Sequence, residues 1–494
     1  MQISSYAQSM TMRNSINTLQ TQLQDLQRQL TTGLKTDSYA GLGDSRSLVL
    51  ALNNQVTQSN SYIDNINTTQ LRVKSSIDAL TSLNNIGSEL KSGSLTSQFN
   101  LTSGGQTDLQ INAGMRLSQA VDLLNLNVGD RQLFSGKDTQ TTPVVSADLM
   151  LNGDTTRAGL KTVIAQRNAA DLGDGLGRLA LTSPMANTVS LGEDVAGSPF
   201  GFKLSNVNST LGGATVTGPT GSPATLDVAF GASLPSDGQS ISLDLNLPDG
   251  TSTTVKLTAT TASPPAAGQF TIGADAATTA TNFKAALDSS LWTEAKTSLV
   301  SASTVQAGND FFSNPPTRVD GPPYDTATAT VAGTTDNTVF WYQGDTSGTP
   351  GNNFVTTVGD GQQIAYGARA DQSAISTVVK NAAVLAAVSY TGTDSTEAGA
   401  YSQLVKRTGS SLNYDSGGQT LQGVITDLGL KSSTLDTTQT NLKTQISTSQ
   451  SVLSDTQNAD PYDVATKLTT LMTQLQASYQ ATSSLSKLTL VSYL

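Results

Sequence analysis

The sequence predicts an α+β multidomain protein. A long α-helical coiled coil or bundle is made from the N- and C-terminal segments, with a β-rich outer insertion between them. Three observations predict this. Apolar residues recur on alternating 4 and 3 steps near both ends of the chain. Between about residues 140 and 365 that period disappears, and Thr, Gly, Ser, Pro and Ala dominate. Only 13% of the residues are charged, against about 25% in ordinary soluble domains, so Ser, Thr, Asn, Gln and Gly must form much of the surface.

The first helix is read from "LQTQLQDLQRQL" at 19–30, where Leu19, Leu23, Leu26 and Leu30 follow Met12 and Ile16. This narrow apolar seam lies on a helix that is otherwise Gln-rich. Gly33, Gly41 and Gly43 punctuate its end. A second helix starts near Asp44 or Ser45 as caps, with Leu52, Val56, Ile63, Ile66, Val73, Ile77 and Leu80 in the apolar slots. Ser59, Gln70 and Asn84 fill polar slots, which weaken a seam but help to fix its register. A third helix is expected from about Asp108 to Val128, with Ile111, Leu117, Val121, Leu124 and Val128 inward.

In the insertion, "ISLDLNLPDGTSTTVKLTA" alternates Ile241, Leu243, Leu245 and Leu247, turns at Pro248-Asp249-Gly250 and resumes with Val255 and Leu257, a β-hairpin pattern. "TVTG", "LDVAFG" and "NNFVTTV" read as further short strands. One helix is expected near 276–300 on Phe283, Leu287 and Leu291, and "SNPPTRVDGPPYD" reads as a loop. Helix returns with the amphipathic "DQSAISTVVKNAAVLAAV". A further seam runs through Leu421, Ile425, Leu428, Leu435, Leu442, Ile446 and Leu453, with Ser432, Gln439 and Ser449 in polar slots. "NADPYD" breaks it. Asp460 then caps a last helix that has Pro461 in its first position and a stripe of Val464, Leu468, Leu471, Leu475 and Leu485.

Seams at opposite ends of a chain have one economical solution: the outermost helices pair with each other, and so do the inner ones. The expected helix-pairing and assembly seam is therefore Ile16, Leu19, Leu23, Leu26 and Leu30 against Val464, Leu468, Leu471, Leu475 and Leu485. One stripe over so few turns is marginal in isolation, and the Gln, Ser and Thr faces around it can bond to further copies at little desolvation cost. The domain division expected is 1–41 and 458–494 for the terminal-core helices, 42–145 and 366–457 for the two parts of an inner helical domain, and 146–365 for the outer β-rich part.

At 494 residues the chain exceeds what one core fills. The net charge is −11 and no basic run is present, which excludes a nucleic-acid partner. With no Cys and no His, disulfides, thiolate zinc sites and Cys or His nucleophiles are excluded. No apolar run approaches the length of about 18 residues that a membrane span needs, so no membrane insertion is expected. "MQISSYAQSM" lacks the basic and apolar regions of a cleaved secretory signal.

Candidate chemistry is thin. "DLGDGLGRL" at 171–179 follows no clear strand and reads as a loop. "FSGKDT" at 134–139 departs from a phosphate-binding loop, with Arg131 where Gly is needed and Asp138 where Ser or Thr is needed. "SELK" at 88–91 and "SLSK" at 484–487 match Ser-x-x-Lys, as chance provides in a Ser-rich chain. Asn67, Asn100 and Asn208 open N-glycosylation patterns. No catalytic, cofactor-binding or metal-binding residue is assigned, and no enzyme activity is expected.

The chain resembles the flagellin superfamily of bacteria. The resemblance covers roughly 1–150 and 335–494 and is carried by "LQRQLTTGLKTDSYAGLGDSRSLVLALNNQV" at 26–56 and by the order of terminal helices, inner helices and variable insertion. Within that superfamily it looks most similar to the hook-associated protein 3 family, on "MQIS", "DRQLFSGKDTQTTPV" at 130–144, "WYQGD" at 341–345 and "QASYQATSSLSKLTLVSYL". "AGLGD" departs from the Asp-Asp pattern usual after the first helix. The resemblance implies a structural subunit of the extracellular flagellum at the hook–filament junction, or alternatively a filament-forming flagellin. It implies partners in copies of itself, hook-associated proteins, flagellin, an export chaperone and the flagellar type III export apparatus. From a different class, an adhesin or enzyme could be carried on the outer β part.

Overall fold

The computed structural model describes residues 2–414 and 418–491, with side chains described for 6–414 and 418–484. In chain order the helices are α1 Gln2–Thr32, α2 Arg46–Thr96, α3 Asp108–Leu124, α4 Ala147–Asn152, α5 Leu160–Leu172, α6 Ala276–Glu294, α7 Val300–Phe312, α8 Ser373–Ala387, α9 Ser395–Ser411, α10 Leu421–Gln457 and α11 Pro461–Val491. The strands are β1 Leu179–Met185, β2 Thr188–Glu193, β3 Lys203–Ser209, β4 Ala214–Thr220, β5 Thr225–Phe230, β6 Ser240–Asn246, β7 Ser252–Thr260, β8 Gln269–Thr271, β9 Thr317–Val319, β10 Thr330–Ala332, β11 Phe354–Gly359 and β12 Gln362–Tyr366. The α+β class expected from the periodicities is the class observed.

One compact unit comprises Met1–Gln70, Thr356–Ile364 and Ser433–Leu494. Here α1 packs on α11, and the first part of α2 meets the latter part of α10. Gln70 Nε2 donates to Asp436 Oδ1 at 2.5 Å and Gln439 Nε2 to Asn67 Oδ1 at 2.5 Å, so these inner helices run antiparallel. Ile66, Leu435 and Leu442 form a small core with Val358 of β11 and Ile364 of β12. That hairpin turns at Asp360-Gly361, where Gly361 takes the positive φ of 68° that such a turn requires. "NNFVTTV" is therefore a strand as expected, but its hairpin covers the inner coiled coil. The buried slots of α2 include Ser59, Ile66, Thr69, Val73, Ser76, Leu80 and Leu83. Thr69 and Leu83 thus take the inward places where Gln70 and Asn84 were expected.

The second unit, Leu71–Val355 and Ala365–Ser432, has two main cores. The helical core gathers Val73, Leu80, Leu83 and Leu90 of α2 with Ala113, Leu117 and Val121 of α3 and the whole apolar girth of α8. Thr107 caps α3 in a capping box with Gln110, and Asn125 ends it, so α3 stops before Val128. α8 was expected to be amphipathic but is buried nearly all round. Its one polar intrusion, Asn381, donates to Thr377 O at 2.8 Å and Ser411 Oγ at 3.0 Å. The segment 140–365 is less purely β than its composition suggests: Leu160, Val163 and Ile164 of α5 and Ala307 and Phe311 of α7 belong to the helical core.

The β core lies between two four-stranded sheets of order β1-β2-β5-β4 and β3-β6-β7-β8. All neighbours are antiparallel except β7 and β8. The β6–β7 hairpin is the one read from the alternation, with Leu243 opposite Val255 and Ile241 opposite Leu257. Val189, Leu191, Leu226 and Val228 face these residues, and Phe283, Leu287 and Leu291 of α6 close the core. α6 runs through a π turn at Ala295–Leu299 into α7, so the expected helix at 276–300 continues to Phe312.

Buried charges join α5 and α7 to the loops around the sheets. Arg167 Nε donates to Asp171 Oδ2 at 2.7 Å, its other nitrogens to Asp310 Oδ2 and Pro199 O at 3.0 Å, and its guanidinium lies over the Phe200 ring. Asp171 Oδ1 accepts from Gly201 N at 2.8 Å, and Arg178 pairs with Asp194 at 2.5 Å. "DLGDGLGRL" is thus a structural joint. A Cβ at Gly177 would sit 2.4 Å from the Phe202 ring.

Candidate assembly interface

The candidate site is the pair formed by α1 and α11 within the first unit. Its geometry is fixed at two places. Gln20 Nε2 donates to the Tyr479 hydroxyl at 2.8 Å. Near the α10–α11 junction, Ala459 N donates to Gly33 O at 2.8 Å, Lys35 N donates to Gln457 O at 2.8 Å, and Leu34 bridges Asn458. These contacts set α1 antiparallel to α11. Gly33 takes the positive φ, 69°, that lets the chain leave α1 toward that junction. Lys35 Nζ reaches the last carbonyls of α10, Asp455 O at 2.8 Å and Thr456 O at 3.0 Å, where a cation offsets the negative end of the helix dipole.

Between the fixed points lie Leu23, Leu26 and Leu30 of α1 and Val464, Leu468, Leu471 and Leu475 of α11. Val464, Leu471 and Leu475 are buried. Ile16, Leu19, Leu23, Leu26 and Leu468 are half-buried. Leu30 is 48% exposed in the single chain. Where Leu30 falls, the main chain turns through Gly33 and leaves the end of α1 uncovered. The side chain of Leu485 lies outside the described residues. The seam is thus closed from the α11 side and half-open from the α1 side. Tyr6, Met10, Leu34, Tyr39, Tyr462, Met472 and Tyr479 are exposed on the same elements or next to them.

Polar groups order the ends. Asp460 Oδ1 accepts from Tyr462 N at 2.9 Å, capping α11 as its sequence predicts, and Lys467 pairs with Asp463 at 2.7 Å. Arg28 bonds to Asp25 and, at 2.7 Å, to Asp37, and these bonds raise its pKa. Lys35 and the Gln20–Tyr479 pair leave no trace in the periodicity, because single polar contacts do not repeat. A Gly followed by a Lys at the end of a leucine series was the available signal.

The other motifs serve the fold. "DRQLFSGKDTQTTPV" and "WYQGD" bind each other: Gln343 N donates to Pro143 O and Asp345 N to Ser135 O, both at 2.8 Å, and Val145 N donates to Trp341 O at 3.1 Å. Phe134, Val144, Trp341 and Tyr342 lie in the helical core. Ser88 of "SELK" donates its hydroxyl to Asn84 O within α2. Among the described residues no acidic cluster is arranged to hold a metal ion, and no helix is long and apolar enough to cross a membrane.

The family described as the bacterial flagellin C-terminal helical region matches residues 415–494, which include all of α10 and α11. That match supports the flagellin family and a structural subunit of the extracellular flagellum. No curated protein matches the chain.

Proposed function

We propose that the chain is a hook-associated protein 3-type subunit that self-assembles through the paired terminal helices α1 and α11 at the hook–filament junction. The observation that carries the assembly reading is the half-open seam. Val464, Leu471 and Leu475 are sealed, whereas their partners on α1 remain half-buried and Leu30 is exposed. A second copy laid along this edge would remove that apolar surface from water, at about 25 cal/mol per Å². Low charge density on these helices lets copies approach without strong repulsion. The junction assignment is supported by the four motifs named above. In this reading export proceeds through the flagellar type III apparatus with a chaperone.

A filament-forming flagellin is the alternative, favoured by the flagellin match at 415–494. Labelled antibody on intact flagella separates the two. A single band where the hook meets the filament supports the junction reading, and label along the filament overturns it. Electron microscopy of the purified protein tests assembly itself: helical or ring-shaped polymers are expected, and a permanent monomer would sink both readings.

A further inference from the structure

A lysine and an asparagine meet on facing helices in the second unit. Lys380 Nζ of α8 lies 2.7 Å from Asn309 Oδ1 of α7. No carboxylate pairs with that amine among the described residues, and burial alone pushes its pKa down. On losing its proton, a lysine amine becomes a nucleophile. The carboxamide is also held in one orientation. Asn309 Nδ2 donates to Gln306 Oε1 at 3.1 Å, and Gln306 Nε2 donates to Asp310 Oδ1 at 2.8 Å. Gly308 sets the approach: a Cβ there would sit 2.5 Å from Val384 Cγ2 and 3.6 Å from Lys380 Cγ, so the missing side chain lets the lysine stem lie flush across α7.

We propose that Lys380 and Asn309 form an intramolecular isopeptide bond that staples α7 to α8. The Nζ lone pair adds to Asn309 Cγ, the Cγ–Nδ2 bond breaks, and one amine proton passes to Nδ2, which leaves as ammonia. The step needs no oxidant and no co-reactant. Asp310 acts as a positioning residue, fixing Gln306 and through it the leaving nitrogen. The staple suits a chain without cysteine, because it ties the end of the sheet-bearing insertion to the helical core where a disulfide is impossible.

Mass spectrometry of the purified full chain tests this. The intact protein should be one ammonia lighter than its sequence. Trypsin should release peptide 297–318 joined to 370–406, uncleaved after Lys380. Lys380→Arg and Asn309→Ala should each restore the sequence mass and the separate peptides, with far-ultraviolet circular dichroism unchanged. Asp310→Ala should slow the loss of ammonia without moving its site. Full sequence mass after prolonged incubation, with Lys380 cleaved normally by trypsin, would overturn the proposal. So would conversion of Asn309 to Asp with Lys380 free, since that is hydrolysis and not bond formation.

Discussion

At Leu471 the seam is closed, because α1 lies across it and little of the side chain meets water. Leu471→Asp should lose about 1.5–3 kcal/mol of apolar burial and add the cost of a carboxylate held out of water. Pelleting assays and electron microscopy should show no polymer, while the spectrum of the sheet-bearing part stays intact. Leu30→Asp makes the informative contrast. Leu30 is exposed in the single chain, so the melting of the monomer should not move, whereas assembly should weaken if a neighbouring copy covers it. Normal polymerisation of Leu30→Asp would mean that the open edge of the seam faces solvent in the polymer.

Asp275 gives a residue-scale prediction of a different kind. It caps α6, its carboxylate accepts from Thr278 N at 2.7 Å, and these bonds hold its pKa below the usual 3.8. A depressed carboxylate contributes stability above its unfolded pKa and loses it as the pH falls through the folded value. Asp275→Ala should therefore lower the melting temperature of the second unit at neutral pH, and the difference from the wild type should shrink in acid below about pH 4. Asp275→Asn retains a capping oxygen and should stay closer to the wild type at neutral pH. An Ala variant whose deficit is constant down to strong acid would show that the carboxylate charge plays no part.

At the scale of elements, the terminal pair has only one apolar stripe to offset the entropy of ordering its two helices. Hydrogen exchange on the monomer should thus be fast over 2–35 and 460–491 and slow in the assembled state. Strong protection there in a proven monomer would mean that the pair is self-sufficient. The elements legible in the sequence were those whose burial repeats: the seams of α1, α2, α10 and α11, and the alternation of β6 and β7. α8 was legible as a helix, but not as one buried nearly all round. Those that were missed lack a repeat for a physical reason. α5, α7 and α9 bury Ala, Ser, Thr and Gly against neighbours, including Ala170, Ser301, Ser303, Gly308 and Thr408, and small residues leave no hydrophobic signature. The buried arginine joint at Arg167 and Arg178 is set by contacts far apart in the chain, which no local window contains. The same holds for the seam itself: its members could be chosen on spacing, but the exposure of Leu30 follows from the turn at Gly33.

For the whole molecule, the division between scaffold and insertion can be tested by excision, and the cut must follow the cores. Removing 165–335 would take away most of α5 and all of α7. Ala307 and Phe311 of α7 lie in the helical core, so that deletion should open a large cavity and unfold the second unit. The sheets and α6 have a core of their own, running from Leu179 to Leu291 and continuing into the π turn. The two ends of this segment come close together, since a Cβ on Gly177 would lie 2.7 Å from Leu299 Cδ2. Replacing 178–294 with a short Gly-Ser linker should therefore leave α5, α7 and the helical core in place, at the cost of the Arg178–Asp194 pair, the contacts of Arg167 and Asp171 with Pro199, Phe200 and Gly201, and the apolar cover over Leu299. The shortened second unit should still melt cooperatively, and the protein should still enter polymers, because α1 and α11 are untouched. If it folds by circular dichroism but no longer enters polymers, the outer sheets carry subunit contacts of their own, and the paired terminal helices are not sufficient for assembly.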